Sequence, residues 1–231
     1  MKNLVVLSGA GMSAESGIPT FRGADGLWEG YRIDEVATPY AWEQDFRKVL
    51  QFYNERRRGV LQAKPNRGHE ILAELESLAN VHVITQNIDN LHERAGSSKI
   101  LHLHGEITKS RSTKNPRLIY DIDGADLKEG DLCALGSQLR PHIVWFHEEV
   151  PMMEPAISIT YTADVFLIVG TSLQVYPASG LVQYVKPGTP IYVIDPSAST
   201  IPGAENFKVI SEGASVGMEK FRQMFLEEYG Y

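Results

Sequence analysis

A short apolar run followed at once by a glycine-rich turn constrains this chain more than any other feature. Leu4 to Leu7 are all apolar and predict a buried strand, and Gly9 and Gly11 follow directly. From Ser13 onward, small polar residues predict the start of a helix. Glycines permit a tight turn with positive φ and a close approach to a ligand, and the free N–H groups of a helix start favour phosphate. The stretch therefore predicts a cradle for a diphosphate.

The spacing of this turn fits a dinucleotide-binding fingerprint, with Ala14 in the last place of Gly9-x-Gly11-x-x-Ala14. Any tight strand-to-helix turn can share that spacing. The residues that follow are less usual, because a stiff, aromatic and cationic segment over 17–22 stands where a plain dinucleotide-binding unit runs on to its second strand. A dehydrogenase also needs a strand ending in Asp or Glu about twenty residues past the glycines, and this chain shows none there.

Composition limits the class of protein. With 231 residues, 43% of them hydrophobic and 22% charged, the chain suits one globular domain or one domain with a smaller insertion. A net charge of −7 argues against nucleic-acid or anionic-membrane binding as the main activity. The chain has no apolar run of bilayer length, and its first strand is too short for a signal peptide, so we expect a cytoplasmic protein that does not bind membranes.

Alternating strand and helix patterns predict an α/β fold with a Rossmann-like, doubly wound parallel sheet. The predicted strands cover 4–7, 81–85, 99–104, 165–169, 191–194 and 207–210, and the main helices cover 41–60, 67–79, 153–161 and 216–229. We expect a single domain over 1–231, with its core at about 1–30, 62–106 and 148–231. A small helical segment covers about 31–61. A small inserted module covers about 107–147 and ends in a strand over 143–146.

Small and polar residues follow nearly every predicted strand, where the ligands of such sheets bind. They are Gly9, Ala10, Gly11 and Ser13; Gln86, Asn87, Ile88 and Asp89; His104; Gly170, Thr171 and Ser172; and Asp195. A purely structural sheet edge does not require this composition. The pattern therefore predicts a binding site at the carboxyl end of the sheet.

His104 is the candidate general base of that site. A histidine titrates near neutral pH and can accept a proton from a hydroxyl. A hydrogen-bonded, half-buried histidine is the structural alternative. His102 lies two residues earlier on the same strand face, and periodicity alone does not rank it below His104.

Five blocks of this sequence resemble the sirtuins, a family of NAD-dependent protein lysine deacylases. The blocks occur in the order of that family and cover nearly the whole chain. They are Gly9-Ala10-Gly11-Met12-Ser13 through Gly17-Ile18-Pro19-Thr20-Phe21-Arg22, then Thr85 through His92, Leu103-His104-Gly105-Glu106, Arg140 through Phe146, and Gly170-Thr171-Ser172-Leu173.

The resemblance implies a role for each matching residue. NAD, a consumed cosubstrate, would be held by Gly9, Ala10, Gly11, Ser13, Ala14, Phe21, Arg22, Gln86, Asn87, Ile88, Asp89, Gly170, Thr171, Ser172, Asp195 and Ala214. His104 would act as the general base on a ribose hydroxyl. A primary amide needs a donor and an acceptor, which the Ile88 backbone and the Asp89 carboxylate can supply to nicotinamide. The products would be nicotinamide, free lysine and an O-acyl-ADP-ribose.

The resemblance also bears on the acyl group. Tyr53 and Arg56 lie three residues apart on a predicted helix and share a face, where a phenol beside a guanidinium can bind a carboxylate. In the structural alternative, Tyr53 packs in the core, Arg56 is solvated, and neither residue binds a ligand. Desuccinylase-type sirtuins carry such a pair with an upstream alanine, which Ala37 matches. We therefore expect removal of succinyl and malonyl groups, with Val144 and Phe146 beside the lysine of an acylated protein or peptide.

The chain departs from the family at its cysteines. Most sirtuins hold a structural zinc with two Cys-x-x-Cys pairs, but here the matching places read Ser110-x-x-Thr113 and Cys133-x-x-Gly136. Cys133 is the only cysteine, and one thiolate cannot build a tetrahedral zinc site. We expect no zinc and no other metal. Asp195 stands where an asparagine is usual, and its carboxylate would repel a 2′-phosphate, which favours NAD over NADP.

Two other functions stay open at this point. One is a general NAD-dependent deacetylase or a mono-ADP-ribosyltransferase, and the other is an inactive NAD-binding module within a larger assembly. We expect a monomer that acts on acylated-lysine proteins and does not bind nucleic acid.

Overall fold

In the computed structural model, residues 1–20, 27–28, 30–198 and 206–230 are described, with the backbone alone at 27 and 28. The strands are β1 (Asn3–Ser8), β2 (Leu27–Trp28), β3 (Tyr31–Arg32), β4 (Asn80–Thr85), β5 (Ile100–His102), β6 (Gly105–Ser112), β7 (Ile119–Asp121), β8 (Leu139–Ile143), β9 (Val165–Val169), β10 (Ile191–Ile194) and β11 (Lys208–Ile210). The helices are α1 (Gly11–Ala14), α2 (Ile33–Val36), α3 (Pro39–Gln62), α4 (Arg67–Leu75), α5 (Leu91–Ala95), α6 (Met153–Thr160) and α7 (Ala214–Tyr229), with a 3₁₀ helix over Ala178–Tyr184.

The predicted doubly wound sheet is confirmed. Six parallel strands lie in the order β11-β10-β9-β1-β4-β5, with β1 in the centre. Alternate residues of β1 point to opposite faces, so Leu4 and Val6 join a core with α4 and α7, whereas Val5 and Leu7 join one with α6. Ser8 is level with Thr85 of β4 and Val169 of β9. The loops after these three strands therefore leave the same edge of the sheet.

The long helix α3 begins and bends for local reasons. Pro39 occupies a first-turn position, where its missing N–H is not needed, and the Thr38 hydroxyl accepts a bond from Ala41 N–H at 3.0 Å. Asp45 leaves helical geometry at φ −154° and ψ 81°, and its carboxylate caps the resumed helix by accepting from Lys48 N–H at 3.0 Å. Tyr53 and Arg56 follow this bend on the longer segment of α3. No described helix has the length and apolarity to cross a bilayer.

A second, three-stranded sheet with the order β7-β6-β8 lies outside the main sheet. Its strands β6 and β8 share a core with α2 and α3, in which Phe52, Tyr53, Ile107, Ile143 and Trp145 are all buried. The helical segment over 31–61 and the module over 107–147 were expected as separate units. In the structure they bury their apolar faces against each other.

Two predicted strand ends are wrong. The strand expected over 99–104 ends at His102, so His104 lies in the turn before β6 and not on a strand. The strand expected over 143–146 ends at Ile143, because the next amides turn to other partners. Val144 N–H donates to His104 O at 2.9 Å and Phe146 N–H donates to Ala37 O at 3.0 Å. A substrate peptide cannot use these two donors.

Hydrogen bonds join the two segments in which the family's zinc ligands would stand. Cys133 Sγ lies 3.1 Å from Ser137 Oγ, which in turn lies 3.1 Å from Ser112 Oγ at the end of β6. The two segments of the module that a zinc ion would link are therefore connected by hydroxyl and thiol groups. Leu50, Leu127 and Leu139 pack with Cys133 in a small apolar cluster.

We predict that metal removal leaves the fold unchanged. A structural zinc contributes folding free energy directly, so its chelation would lower the melting temperature. Here EDTA should not change the melting temperature in a thermal scan, and elemental analysis should find far less than one zinc per chain. Cys133→Ser should cost about 1 kcal/mol or less, because a hydroxyl keeps the bond to Ser137. Stoichiometric zinc together with an EDTA-induced loss of stability would contradict the prediction.

Candidate active site

One cavity of about 700 Å³ opens at the carboxyl edge of the main sheet and reaches the core shared by α3 and β8. It brings together nearly all the residues that the sequence predicted for the site. These are Gly9, Ala10, Gly11, Ser13, Ala14, Ala37, Tyr53, Arg56, Gln86, Asn87, Ile88, Asp89, His104, Val144, Phe146, Gly170, Thr171, Ser172 and Asp195. Gly9 and Asp195, 186 positions apart in sequence, thus face one space because their strands end at one edge.

Among the described residues, one predicted residue is not part of this lining. Ala214 is buried at the first position of α7, and its neighbour Gly213 lines the cavity instead. Phe21 and Arg22 lie outside the described residues. Their predicted role at the nicotinamide end stays a prediction.

The glycines after β1 line the cavity, but their backbone conformation differs from the one expected. Neither Gly9 nor Gly11 has a positive φ, so that part of the prediction is wrong. Their missing side chains make room for the loop after β9, because a Cβ on Gly11 would lie 2.7 Å from the Cα of Gly170. Gly11 N–H donates to Gly170 O at 2.8 Å. Gly170 itself has φ +65°, the left-handed region that favours glycine.

A buried hydrogen-bond network connects this turn to the loop after β4. Asn87 Nδ2 donates to Gly9 O at 3.0 Å and to Ser13 Oγ at 3.1 Å. The Ser13 hydroxyl donates to Asp89 Oδ2 at 3.0 Å, and Leu91 N–H donates to Asp89 Oδ1 at 3.1 Å. Burial raises the pKa of Asp89, although these two bonds oppose the shift. The network fixes the Asp89 carboxyl at the wall of the cavity.

His104 is held in the tautomer that a general base needs. Its Nδ1 lies 3.0 Å from Gln86 O, and because a carbonyl only accepts, Nδ1 carries the hydrogen. The lone pair is therefore on Nε2. Burial lowers the pKa of His104, and the bond to the Gln86 carbonyl only partly offsets this effect. His104 is thus neutral at pH 7 and able to accept a proton.

Tyr53 and Arg56 form the other end of the cavity with Ala37. Tyr53 is fully buried against the Phe52 and Trp145 rings, whose centroids are 5.0 and 6.5 Å away. Burial raises the pKa of Tyr53, so its phenol keeps its proton. Ala37 is 2% exposed, and its small side chain leaves the space beside Tyr53 open. This end of the cavity can supply a phenol and a guanidinium.

An ion-pair cluster lies beside Tyr53 and closes the turn over 145–148. Glu148 accepts from Arg140 Nη1 at 2.7 Å and Nη2 at 3.0 Å, and from Arg111 Nη2 at 3.1 Å. The Trp145 N–H also donates to this carboxylate at 2.8 Å. Burial raises the pKa of Glu148, but the hydrogen bonds and the charge of Arg140 outweigh burial and lower this pKa below its usual value. The carboxylate is therefore ionised. Its charge is compensated by two guanidinium groups.

Sequence reasoning did not assign a role to several residues of the lining. Glu148 and Tyr176, for example, both line the cavity. Glu148 is three residues beyond Trp145 in a turn, and no local pattern shows that its partners are Arg111 and Arg140. The block from Arg140 to Phe146 indicated that this part of the chain belongs to the site, but only the fold shows the contacts of Glu148.

Comparison with known proteins agrees with this geometry. A family model described as the Sir2 family matches residues 9–177. An NAD-dependent protein deacylase of Bacteroides thetaiotaomicron is 54% identical over 231 residues, covering 98% of this chain and 99% of the relative. An NAD-dependent protein deacylase of Helicobacter pylori is 53% identical over 227 residues, covering 98% and 99%.

Solved structures give the same result. A phenylalanine-to-alanine mutant of a Sir2 homologue in complex with ADP-ribose superposes with a TM-score of 0.89 at 39% identity, covering 99% of this chain and 94% of that one. A Sir2 homologue in complex with NAD superposes with a TM-score of 0.87 at 40% identity, covering 98% and 90%. The fold and the cavity define an α/β protein with a site at a sheet edge. The chain belongs to the Sir2 family, the sirtuins.

We predict that His104→Asn lowers kcat/KM about 10²- to 10⁴-fold, because asparagine can still bond Gln86 O but cannot accept a proton. In the wild type, kcat/KM should fall as the pH drops through the pKa of His104. That pKa lies below the ordinary value of about 6.5, so activity should persist at slightly acid pH. Nicotinamide release from an acyl-lysine peptide measures both effects.

His82→Asn is the matched control for that variant. His82 lies on β4, where its Nε2 contacts Asn80 at 3.1 Å, and it does not line the cavity. The control should keep the wild-type rate and the wild-type pH profile. Retention of more than a tenth of the activity by His104→Asn would show that another group is the base.

Proposed function

We propose that this sirtuin, an NAD-dependent protein deacylase, removes acidic acyl groups, succinyl and malonyl, from the lysines of proteins. NAD is its consumed cosubstrate, as the family and the NAD-bound and ADP-ribose-bound relatives indicate. The observation that carries the acyl preference is that Arg56 and Tyr53 line the same cavity as His104. An acidic acyl group and the reacting amide can therefore occupy one continuous space.

The residues of the sheet edge fit NAD. The backbone N–H groups of Ala10, Ile88 and Asp89 have no acceptor among the described residues, and all three residues line the cavity. Such donors suit phosphate oxygens and the carboxamide oxygen of nicotinamide. The Asp89 carboxyl can accept from the carboxamide NH₂. Asp195 lines the adenosine end and favours a ribose with a free 2′-hydroxyl.

The protein's contribution to the chemistry is positioning and proton transfer. NAD supplies an electrophilic ribose carbon when its bond to nicotinamide breaks, and the acyl oxygen is the group that attacks it. His104 Nε2 accepts the proton of a ribose hydroxyl, because its Nδ1–H is committed to Gln86 O. Ile88 and Asp89 orient the amide that leaves. Phe146 and Val144 flank the lysine stem where the cavity opens.

Charge supports the preference for an acidic acyl group. Tyr53 lies within electrostatic reach of Arg56, Arg140 and Glu148. The Glu148 carboxylate is bound by Arg140 and Arg111, so it does not act as an uncompensated anion beside the acyl chain. A carboxylate at the end of the acyl chain can pair with Arg56 and accept from the Tyr53 phenol. A neutral acetyl group offers the guanidinium no carboxylate.

A paired-peptide assay tests the proposed function. One peptide sequence carries either succinyl-lysine or acetyl-lysine, and nicotinamide release is followed with NAD as cosubstrate. We predict a kcat/KM at least about tenfold higher for the succinyl peptide, since a charged hydrogen bond contributes about 1.5–3 kcal/mol. Preference for the acetyl peptide would indicate a general deacetylase. Transfer of labelled ADP-ribose to protein without deacylation would indicate a transferase instead.

We further predict that Arg56→Met lowers kcat/KM for the succinyl peptide by about tenfold or more and leaves the acetyl peptide within about twofold. The reason is that methionine keeps the aliphatic stem but cannot pair with a carboxylate. The measurement is the ratio of the two kcat/KM values.

Arg58→Met is the control for this variant. Arg58 is on the same helix, but its side chain is 50% exposed and pairs with Asp126 at 2.7 Å, away from the cavity. Its acyl ratio should equal that of the wild type. An equal loss on both peptides in Arg56→Met would refute the assignment of the pocket.

A further inference from the structure

Two histidines, two residues apart, hold consecutive carbonyls of the loop after β4. His104 Nδ1 lies 3.0 Å from Gln86 O, and His102 Nδ1 lies 3.0 Å from Asn87 O. Ile107 N–H donates to the next carbonyl, Ile88 O, at 2.8 Å. Three successive carbonyls therefore point at the segment over 102–107. This loop carries the residues that face the nicotinamide end of the cavity.

His102 differs from His104 in what its second ring nitrogen meets. Its Nε2 lies 2.7 Å from Glu93 Oε1 on α5. Both partners of the ring, the Asn87 carbonyl and the Glu93 carboxylate, are acceptors, so both nitrogens must carry hydrogen. With its side chain only 9% exposed, His102 is thus an imidazolium paired with a carboxylate. His104 has one acceptor and is neutral, so the two rings hold different charge states.

The direction of one peptide group follows from this contact. A trans peptide is planar, so the Ile88 N–H points opposite to the Asn87 C=O. Because that carbonyl is bound by His102, the Ile88 N–H points away from His102. It has no acceptor among the described residues, and Ile88 lines the cavity. A cation on the carbonyl also polarises the peptide and strengthens its N–H as a donor.

We infer that His102, kept as an imidazolium by Glu93, is a positioning residue that orients the Asn87–Ile88 peptide and strengthens the Ile88 N–H as a donor to the carboxamide of nicotinamide. This inference rests on the proposed placement of nicotinamide at Ile88 and Asp89. His102 does not line the cavity and acts through the peptide that it holds.

The charged groups around His102 agree with this state. Burial would lower its pKa, but the hydrogen bond and the charge of Glu93 outweigh burial and raise it. Glu106 on β6 adds to the rise, although its own bond, at 3.0 Å, is to Lys109. Burial raises the pKa of Asp89 in the loop, and the charge of His102 opposes that rise. The imidazolium therefore persists above the usual range and is lost as the pH rises through the raised pKa.

The neighbouring histidine on α5 adds no positive charge. Burial holds the pKa of His92 well below its usual value, so His92 is neutral. The loss of positive charge near this loop as the pH rises through the raised pKa is therefore a property of His102.

Nuclear magnetic resonance of the free protein tests the inference without turnover. With ¹⁵N labelling, both ring nitrogens of His102 should show the imidazolium signature at pH 7. The Ile88 amide shift should then titrate together with them as the pH rises through the raised pKa of His102. In Glu93→Gln this transition should move to lower pH by about one unit, because the paired charge is gone. An Ile88 amide that does not follow His102 would overturn the inference.

Kinetics of a second variant complete the test. His102→Phe should raise the KM for NAD and the inhibition constant for nicotinamide about tenfold each, and leave the KM for the peptide within about twofold. His82→Phe is the matched control and should change none of them. If His102→Phe does not fold, Glu93→Gln should give the same KM split at pH 8 and above, where its His102 is neutral, and approach the wild type at pH 6.

The two proposals fail in different ways. If the wild type released no nicotinamide with any acyl peptide, the proposed function would be wrong, while the link between His102 and the Ile88 amide would still be measured. If the wild type is active and His102→Phe binds NAD and nicotinamide as the wild type does, the positioning role is wrong.

Discussion

The contact between the turn after β1 and the turn after β9 is the constraint on which the rest of the site depends. Gly11 and Gly170 approach so closely that neither position has room for a side chain, and an N–H···O bond of 2.8 Å joins them. This contact fixes the carbonyl of Gly9, to which Asn87 donates. Asn87 in turn holds Ser13 and, through it, Asp89. A backbone contact between two turns thus positions a carboxyl group from a third.

The histidines of the site show how the number of acceptors determines charge in a buried place. His104 meets one carbonyl and stays neutral, whereas His102 meets a carbonyl and a carboxylate and is a cation. Both are half-buried and only two residues apart. The difference comes from Glu93 on α5, which approaches one ring and not the other. A proton acceptor and a fixed positive charge can therefore stand two residues apart.

Much of the fold could be predicted from sequence because its patterns are local. The run over 165–169 is apolar throughout, as a strand buried on both faces requires, and its bounds were predicted correctly. The strand expected over 143–146 was not, because Val144 and Phe146 bond to residues about 40 and 109 positions away rather than continue the sheet.

The residues of the site divide in the same way, into those that local patterns predict and those that depend on long-range contacts. The residues after each strand could be predicted because parallel strands end at one edge. The role of the glycines as packing surfaces could not be predicted, since Gly170 is far from Gly11 in sequence. The partners of Glu148 and the charge of His102 depend on similar long-range contacts. Sequence patterns identify which residues lie at the edge of the sheet. The charge and the contacts of each residue depend on neighbours that only the fold brings near.

The two ends of the cavity rest on different hydrophobic cores. The sheet-edge residues rest on the cores around β1, whereas Tyr53 and Trp145 belong to a different core, formed by α2, α3, β6 and β8. The separation is not complete, because Ile88 packs against the second core and Ile107 of that core donates to Ile88 O at 2.8 Å. Substitutions that reshape the second core can therefore also shift the loop that carries Asp89. A side-chain change that reshapes the acyl end of the cavity is therefore constrained by the loop on which the reaction depends.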